Sequence, residues 1–378
     1  MVIGFTAVIV APRWRLQPFT PTVDLGVSFV PTDWSPDGGA LLTATPGRFK
    51  ILGWDGSVFQ GPDPGWSPVW IDARHIAILE RKFGDSSVHL VRMEIAGGDR
   101  QTLGPALAQG RLIGDGRGHL AYESDDGPIV TTVLDPRDGH TVADLAGYRM
   151  SGWTGDGALL LTRPEPYLER YYPYGGSLFL WRPGEKPRPL GPGIADAGSV
   201  APMSPTGEEL ACICTVKPFP EPTPNGPERA IYRVPIDGSP PVYLAPWPRH
   251  GGPSPEIAWI DATRLAVIGE EGLLHVSTAG GSKAVSGLGS SDLGFRTAFG
   301  RVFELRGSTV AVLEDLVGGV ESTLAVVDAE DRVRMRTRFV GWLPDVSIDH
   351  VQERGVVSSE QIRDGAPSLL DLSVLEFR

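Results

Sequence analysis

Cysteine is nearly absent: the chain holds two, Cys212 and Cys214. With no further pair, the framework of a small disulfide-stapled secreted domain is excluded. The i, i+2 spacing reads as too tight for an ordinary disulfide, so both are expected to pack as small apolar residues on one face of a strand. No apolar run approaches the ~18 residues of a membrane span. The opening stretch Met1–Pro12 is apolar and precedes the first basic residue, Arg13, the reverse of a secretory leader. A soluble, cytoplasmic chain without membrane association is the expectation. There is no His-Glu-x-x-His, no paired CxxC, no Gly-x-Ser-x-Gly elbow and no dinucleotide fingerprint opening a helix, so no metal and no cofactor are expected. A basic excess is also lacking. The formal net charge is −12, which disfavours nucleic acid as a partner. Only one Asn, Asn225, and very few lysines occur; this reads as the codon usage of a GC-rich bacterial genome and carries no chemistry.

Turn formers are abundant. Gly 48 and Pro 35 are spread along 378 residues, as many short strands require. They recur in a repeat. Trp34-Ser35-Pro36-Asp37-Gly38-Gly39-Ala40-Leu41-Leu42 is a strand end, a tight turn and a strand start. The pattern returns at 70–76, 113–120, 153–160, 203–210 and 259–265, and in weaker form at 303–310 and 348–356. Asp-Gly and Pro-Asp-Gly supply the positive φ and local hydrogen bonds that reverse a hairpin. The large residue ahead of each turn, usually Trp, is expected to pack between neighbouring repeats. The spacing of about 36 to 56 residues fits propeller blades. A second set of turns, at 95–99, 236–239 and 328–331, completes four strands per repeat.

The Trp-Ser-Pro-Asp-Gly of 34–38, echoed at 153–157 and 203–207, resembles the repeat of TolB-type, WD-repeat-like β-propellers, as also found beside the hydrolase domain of prolyl-oligopeptidase-like enzymes. The resemblance covers most of the chain as a repeat pattern and is specific only at the turn. It implies an all-β, single-domain propeller over 1–378, built of four-stranded antiparallel blades. Eight blades is the leading count and seven the alternative. The last repeat offers only three strands, so an N-terminal strand, either Phe5–Val10 or Thr22–Val27, is expected to close the ring and remove an unpaired edge. The resemblance further implies that the first strand of each blade lines a central channel, with the first turns on one face and the variable loops on the other.

Three long insertions fall in consecutive repeats on the variable face: Arg163–Gly176, Val216–Arg229 and Trp247–Pro253. They carry Tyr167, Arg170, Tyr171, Tyr172, Tyr174, Lys217, Trp247 and Arg249, residue types enriched where proteins bind partners. His75 and His119 recur at first turns and read as turn caps, whereas His89 and His275 fall on third strands. Asp349 and His350 are expected on an innermost strand, facing the channel where a base could act, and His250 lies in the third insertion. Two functions fit these positions. One is a platform that binds a small molecule, peptide or protein on its loop-rich face. The other is a cofactor-independent lyase, cyclase or isomerase of small-molecule biosynthesis, with His350, His250 and Asp349 as its acid-base residues.

Overall fold

A hydroxyl placed directly after the large apolar residue builds the recurrent turn. Ser35 Oγ donates to Asp37 Oδ1 at 2.6 Å and accepts from the Ala40 N–H at 2.9 Å, while Gly38 adopts φ +70°. At 153–158 Thr154 repeats both contacts, donating to Asp156 at 2.5 Å and accepting from the Ala158 N–H at 2.9 Å. At 203–209 Ser204 accepts from the Glu209 N–H at 3.2 Å. The hydroxyl satisfies the first donor of the returning strand, and the glycine supplies a left-handed φ that a β-carbon would oppose.

These turns join the strands of a computed structural model that describes residues 14–18, 30–45, 48–55, 57–62, 65–81, 87–95, 99–107, 110–124, 127–170, 175–196, 202–218, 228–247, 257–269, 272–293, 297–315, 321–340, 345–351, 353–361 and 369–377. The described strands form eight four-stranded antiparallel blades in a ring, an eight-bladed β-propeller. Blade 1 runs from the inside outward as Val30–Trp34, Ala40–Thr45, Arg48–Gly53 and Val58–Gln60. Blade 2 spans Gly65–Trp70 to Arg100–Leu107, blade 3 Gly110–Gly114 to Thr141–Ala146, and blade 4 Arg149–Trp153 to Arg188–Pro189. Blade 5 spans Ile194–Asp196 to Val242–Pro246, blade 6 Ile257–Asp261 to Ser282–Gly289, and blade 7 Thr297–Leu305 to Val333–Val340. All eight turn copies are hairpins between first and second strands, which decides for eight over seven.

Blade 8 takes Asp345–Asp349, Arg354–Gln361 and Leu369–Phe377 from the C-terminal region. Its outer strand is Trp14–Pro18, antiparallel to Leu369–Phe377 with Trp14 opposite Phe377. The ring is therefore closed by an N-terminal strand, as expected, but by a different segment; Phe5–Val10 and Thr22–Val27 lie outside the described residues. Trp14 is buried among Leu305, Val346 and Leu375, and this packing makes 14–18 a suitable closing strand.

The core is divided among the blade interfaces. Leu42, Ile51, Trp70 and Ile78 pack between blades 1 and 2; Ala121, Leu145, Leu159 and Trp181 between 3 and 4; Ile213, Trp247, Trp259 and Val267 between 5 and 6. A tryptophan at the end of the first strand wedges each of several interfaces and donates its indole N–H to the preceding blade. Trp259 reaches the Pro202 carbonyl at 3.0 Å, Trp153 that of Ile113 at 3.4 Å, and Trp70 that of Asp33 at 3.5 Å. Trp34 differs. It stands at the junction of blades 1 and 8, its N–H finds no acceptor among the described residues, and it stacks on Trp54 at 5.1 Å.

Cys212 and Cys214 are fully buried on the second strand of blade 5 and, contrary to expectation, form a disulfide. Alternate residues of a strand face the same side, and here their Cα atoms are 5.6 Å apart, a separation a disulfide spans.

Trp259→Ala is expected to destabilise the chain by about 3–5 kcal/mol through the cavity left between blades 5 and 6. Trp259→Phe, which fills most of that space but abandons the Pro202 carbonyl, is expected to cost about 1–3 kcal/mol. Urea-unfolding midpoints of the two variants check the order.

Candidate functional site

The antiparallel order of each blade sends the first and third turns to one end of the ring and the second loops and inter-blade connections to the other. At the loop-rich end the second loop of blade 4 begins with a single helical turn, Pro166–Glu169, with proline at its start and Leu168 fully buried beneath it. Leu168 pins the loop to the blade. Tyr167 is left half-buried and Arg170 exposed.

Next to it, Lys217 of blade 5 crosses to blade 4. Its Nζ donates to Glu165 Oε1 at 2.6 Å and to Ser177 Oγ at 2.6 Å, and Ser177 Oγ also donates to Glu165 at 2.6 Å. Partial burial alone would raise the Glu165 carboxyl. The hydrogen bonds from Lys217 and Ser177, with the charges of Lys217 and Arg163, outweigh it and hold the group below the usual carboxylate range. The two loops are thereby locked together.

A second network lies closer to the channel. Glu123, on the second strand of blade 3, is buried. It accepts from the Met150 N–H at 2.9 Å, Arg149 at 3.1 Å and Arg111 at 3.3 Å. Arg149 also meets Glu169 of the loop helix at 3.5 Å, and Arg111 donates to the Met150 carbonyl at 2.8 Å. A chain Arg111–Glu123–Arg149–Glu169 thus runs along the mouth from blade 3 to blade 4. Bonds to charged partners are the stronger kind, and this set orients two guanidinium groups at the rim. A buried glutamate one strand in from the channel, flanked by arginines that begin the innermost strands, is the signal that could have found it in the sequence.

The predicted residues divide. Tyr167, Arg170 and Lys217 come together on this rim. Tyr171, Tyr172, Tyr174, Arg249 and His250 lie outside the described residues. Trp247, expected on the binding rim, is instead buried in the core between blades 5 and 6, because its large apolar ring completes that interface. Asp349 and His350, expected to face the channel near the rim, sit at the turn end of blade 8, away from it. Asp349 is 1% exposed and accepts from the Val351 N–H at 2.9 Å. It packs beneath the first turn of blade 1, where a β-carbon on Gly38 would meet its Oδ1 at 2.6 Å. His350 is largely exposed, 3.8 Å from Glu304. The period-two rule says that alternate residues share a face, not which face is the channel, and Asp349 turned sideways into the next blade. Among the described residues no acid-base constellation joins these two to the rim.

His75, His119, His140 and His275 are tied to carboxylates in turns or between blades. His75 is 3.0 Å from Asp72, and His119 is 2.6 Å from Asp115, each capping its first turn as expected. His275 is buried against blade 7, 2.6 Å from Asp331 and 3.2 Å from Thr309 Oγ1. Burial lowers its pKa despite Asp331. Among the described residues Asp135, Asp138 and His140 could hold a metal ion, their ligand atoms lying within 4.8 Å of one another. Asp135 already accepts from the Arg137 N–H and Asp138 from the His140 N–H, which is ordinary hairpin-turn chemistry.

Asp33 stands on the innermost strand of blade 1. Its carboxyl keeps contact with solvent, yet protein surrounds it on most sides. That desolvation raises its pKa to about 6, opposed in part by the Trp34 N–H at 2.8 Å. A folded-state pKa above the ordinary 3.8 means that the native state holds the extra proton between these values. The stability carried by the neutral carboxyl is complete below the ordinary value and is lost as pH rises through about 6. Asp33→Asn is therefore expected to melt above wild type at about pH 7.5 and to converge with it toward about pH 4. Thermal midpoints across that range test the sign. Glu123→Ala, which leaves Arg111 and Arg149 facing each other, is expected to cost about 3 kcal/mol, whereas the half-exposed pair removed by Lys217→Met is expected to cost about 1 kcal/mol or less; urea midpoints compare the two.

No family model matches the chain, and no curated protein matches it in sequence. Solved structures do. A eukaryotic initiation factor is 10% identical with a TM-score of 0.57, over 97% of this chain and 95% of that one. The β-propeller domain of the Trilobed protease from Pyrococcus furiosus is 11% identical with a TM-score of 0.51, over 94% and 96%. At these identities the likeness shows the β-propeller fold alone. A putative TolB from Agrobacterium tumefaciens, 17% identical over 62% of this chain and 91% of that one, has a TM-score of 0.38 and carries no argument for a family narrower than the fold.

Proposed function

We propose that residues 1–378 act as one TolB-like propeller unit, a docking platform that binds a peptide or protein on the loop-rich face over blades 3 to 5. One observation supports this reading above the others: the loops of blades 4 and 5 are locked by the Glu165–Lys217–Ser177 contact, with Tyr167 half-buried and Arg170 exposed beside it on the rim. A preorganised surface loses little conformational entropy on binding, and Tyr and Arg are the side chains that most often carry binding energy. Arg111 and Arg149, held by Glu123, extend the same surface toward the channel. Glu165, Glu123 and Glu169 at this mouth are engaged by arginine, lysine or serine donors, which suits recognition better than proton transfer. Among the described residues no helix is long and apolar enough to cross a membrane, and a cytoplasmic setting belongs to this proposal.

The alternative, a cofactor-independent lyase, cyclase or isomerase, finds support in Asp33. Its carboxyl titrates near 6 on an innermost strand, a value suited to a general base.

A photo-crosslinking residue at position 170 separates platform from bystander. Cross-linked partner bands are expected from position 170 in cells of the source organism and not from position 185 in the exposed third turn of blade 4. Equal bands from both positions, or none from 170, would reject the rim as the docking surface.

A further inference from the structure

The turn end of the ring carries a groove that the proposed platform does not use. An opening of ≈ 700 Å³ lies there between blades 1 and 2. Its apolar lining includes Ile51, Phe59 and Ile95, which belong to or pack against the core of this interface. Val58, also in the lining, is 46% exposed.

The polar part of the lining has one sign of charge. Asp37 and Asp55 line the groove, and among the described residues no Lys, Arg or His does. Both carboxylates are held in place through one oxygen. Asp37 Oδ1 accepts from Ser35 Oγ and from the Gly39 N–H, and Asp55 Oδ1 accepts from the Ser57 N–H at 2.9 Å and Ser57 Oγ at 2.6 Å. In each, Oδ2 is left for another donor. The hydrogen bonds from Ser35 and from Ser57 keep these two groups ionised, below the usual carboxylate range. The nearest stacked cation, Arg354, lies over the Trp54 ring at 3.4 Å and interacts with Asp349 and Glu376.

We propose that this groove binds a short extended peptide segment of a partner protein in which apolar and basic residues alternate. The apolar side chains occupy the space over Ile51, Phe59 and Ile95, and the cations pair with the free oxygens of Asp37 and Asp55. The net charge of −12 draws a basic partner toward the chain, and the groove converts that attraction into a defined place.

The test uses the full chain and a fluorescein-labelled, acetylated hexapeptide alternating leucine and arginine, with the same peptide carrying glutamate for arginine as its partner probe. Fluorescence anisotropy is expected to show binding of the arginine peptide and not of the glutamate peptide. The double variant Asp37→Asn, Asp55→Asn is expected to weaken it about tenfold. Val58→Arg, a change at an exposed position that places a cation across the opening, is expected to abolish it with the thermal midpoint unchanged, and it serves as the test should the double variant fail to fold. Glu185→Gln with Glu208→Gln removes the same charge from exposed turns elsewhere and is expected to leave the affinity intact. Equal binding of both peptides, no effect of Val58→Arg, or an equal loss in the Glu185/Glu208 variant would overturn the proposal.

Discussion

Each blade is a sheet that is apolar on both faces, and neither face can be buried except against the next blade. Everything else in the structure depends on that constraint. Leu42 and Ile51 of blade 1 require Trp70 and Ile78 of blade 2, and the same exchange is repeated around the ring. Such a stack has no natural end, so it is stable once it closes on itself. The closing strand, Trp14–Pro18, is drawn from the opposite end of the chain and brings Trp14 into the interface of blades 7 and 8. Where the ring meets itself, between blades 8 and 1, the buried residues include Trp34, Leu41, Leu52, Val356 and Val374. The stack of Trp34 on Trp54 and the Arg354 guanidinium over Trp54 add contact there.

The same constraint divides labour between the two ends. The turn end must keep the blades in register, and it is built from hydroxyl and carboxylate caps that change little from copy to copy. Ser35, Thr154 and Ser204 do one job in three blades. The loop end is free of that duty, and there the blades differ. Blades 3 to 5 use the freedom to assemble two ionic networks, one around Lys217 and one around Glu123, which fix surface loops to a rigid base.

Legibility followed the range of the interactions. The turn chemistry is local, so Trp34 to Leu42 and its seven echoes could be read directly and counted as blades. Tyr167, Arg170 and Lys217 could be placed on one rim because insertions in consecutive repeats must be neighbours. Trp247 could not be told from a surface anchor, because an aromatic residue after a strand serves a core or a binding site equally well until its neighbours are known. Glu123 escaped notice because a single glutamate on an apolar strand, LAYES, acquires meaning only when Arg111 and Arg149 arrive from two other strands.

What the amino-acid sequence determined by itself is the repeating unit: the hairpin turns, the alternation of strands and the need for a borrowed strand. All of these rest on contacts within a few dozen residues. The tertiary structure decided which segment closes the ring, which face each strand-end residue takes, and which charged groups meet. Asp349 shows the difference. Its position at the end of an innermost strand was readable, but its burial beneath Gly38 of a blade more than three hundred residues away in the chain follows from the closure of the ring, which no local pattern encodes.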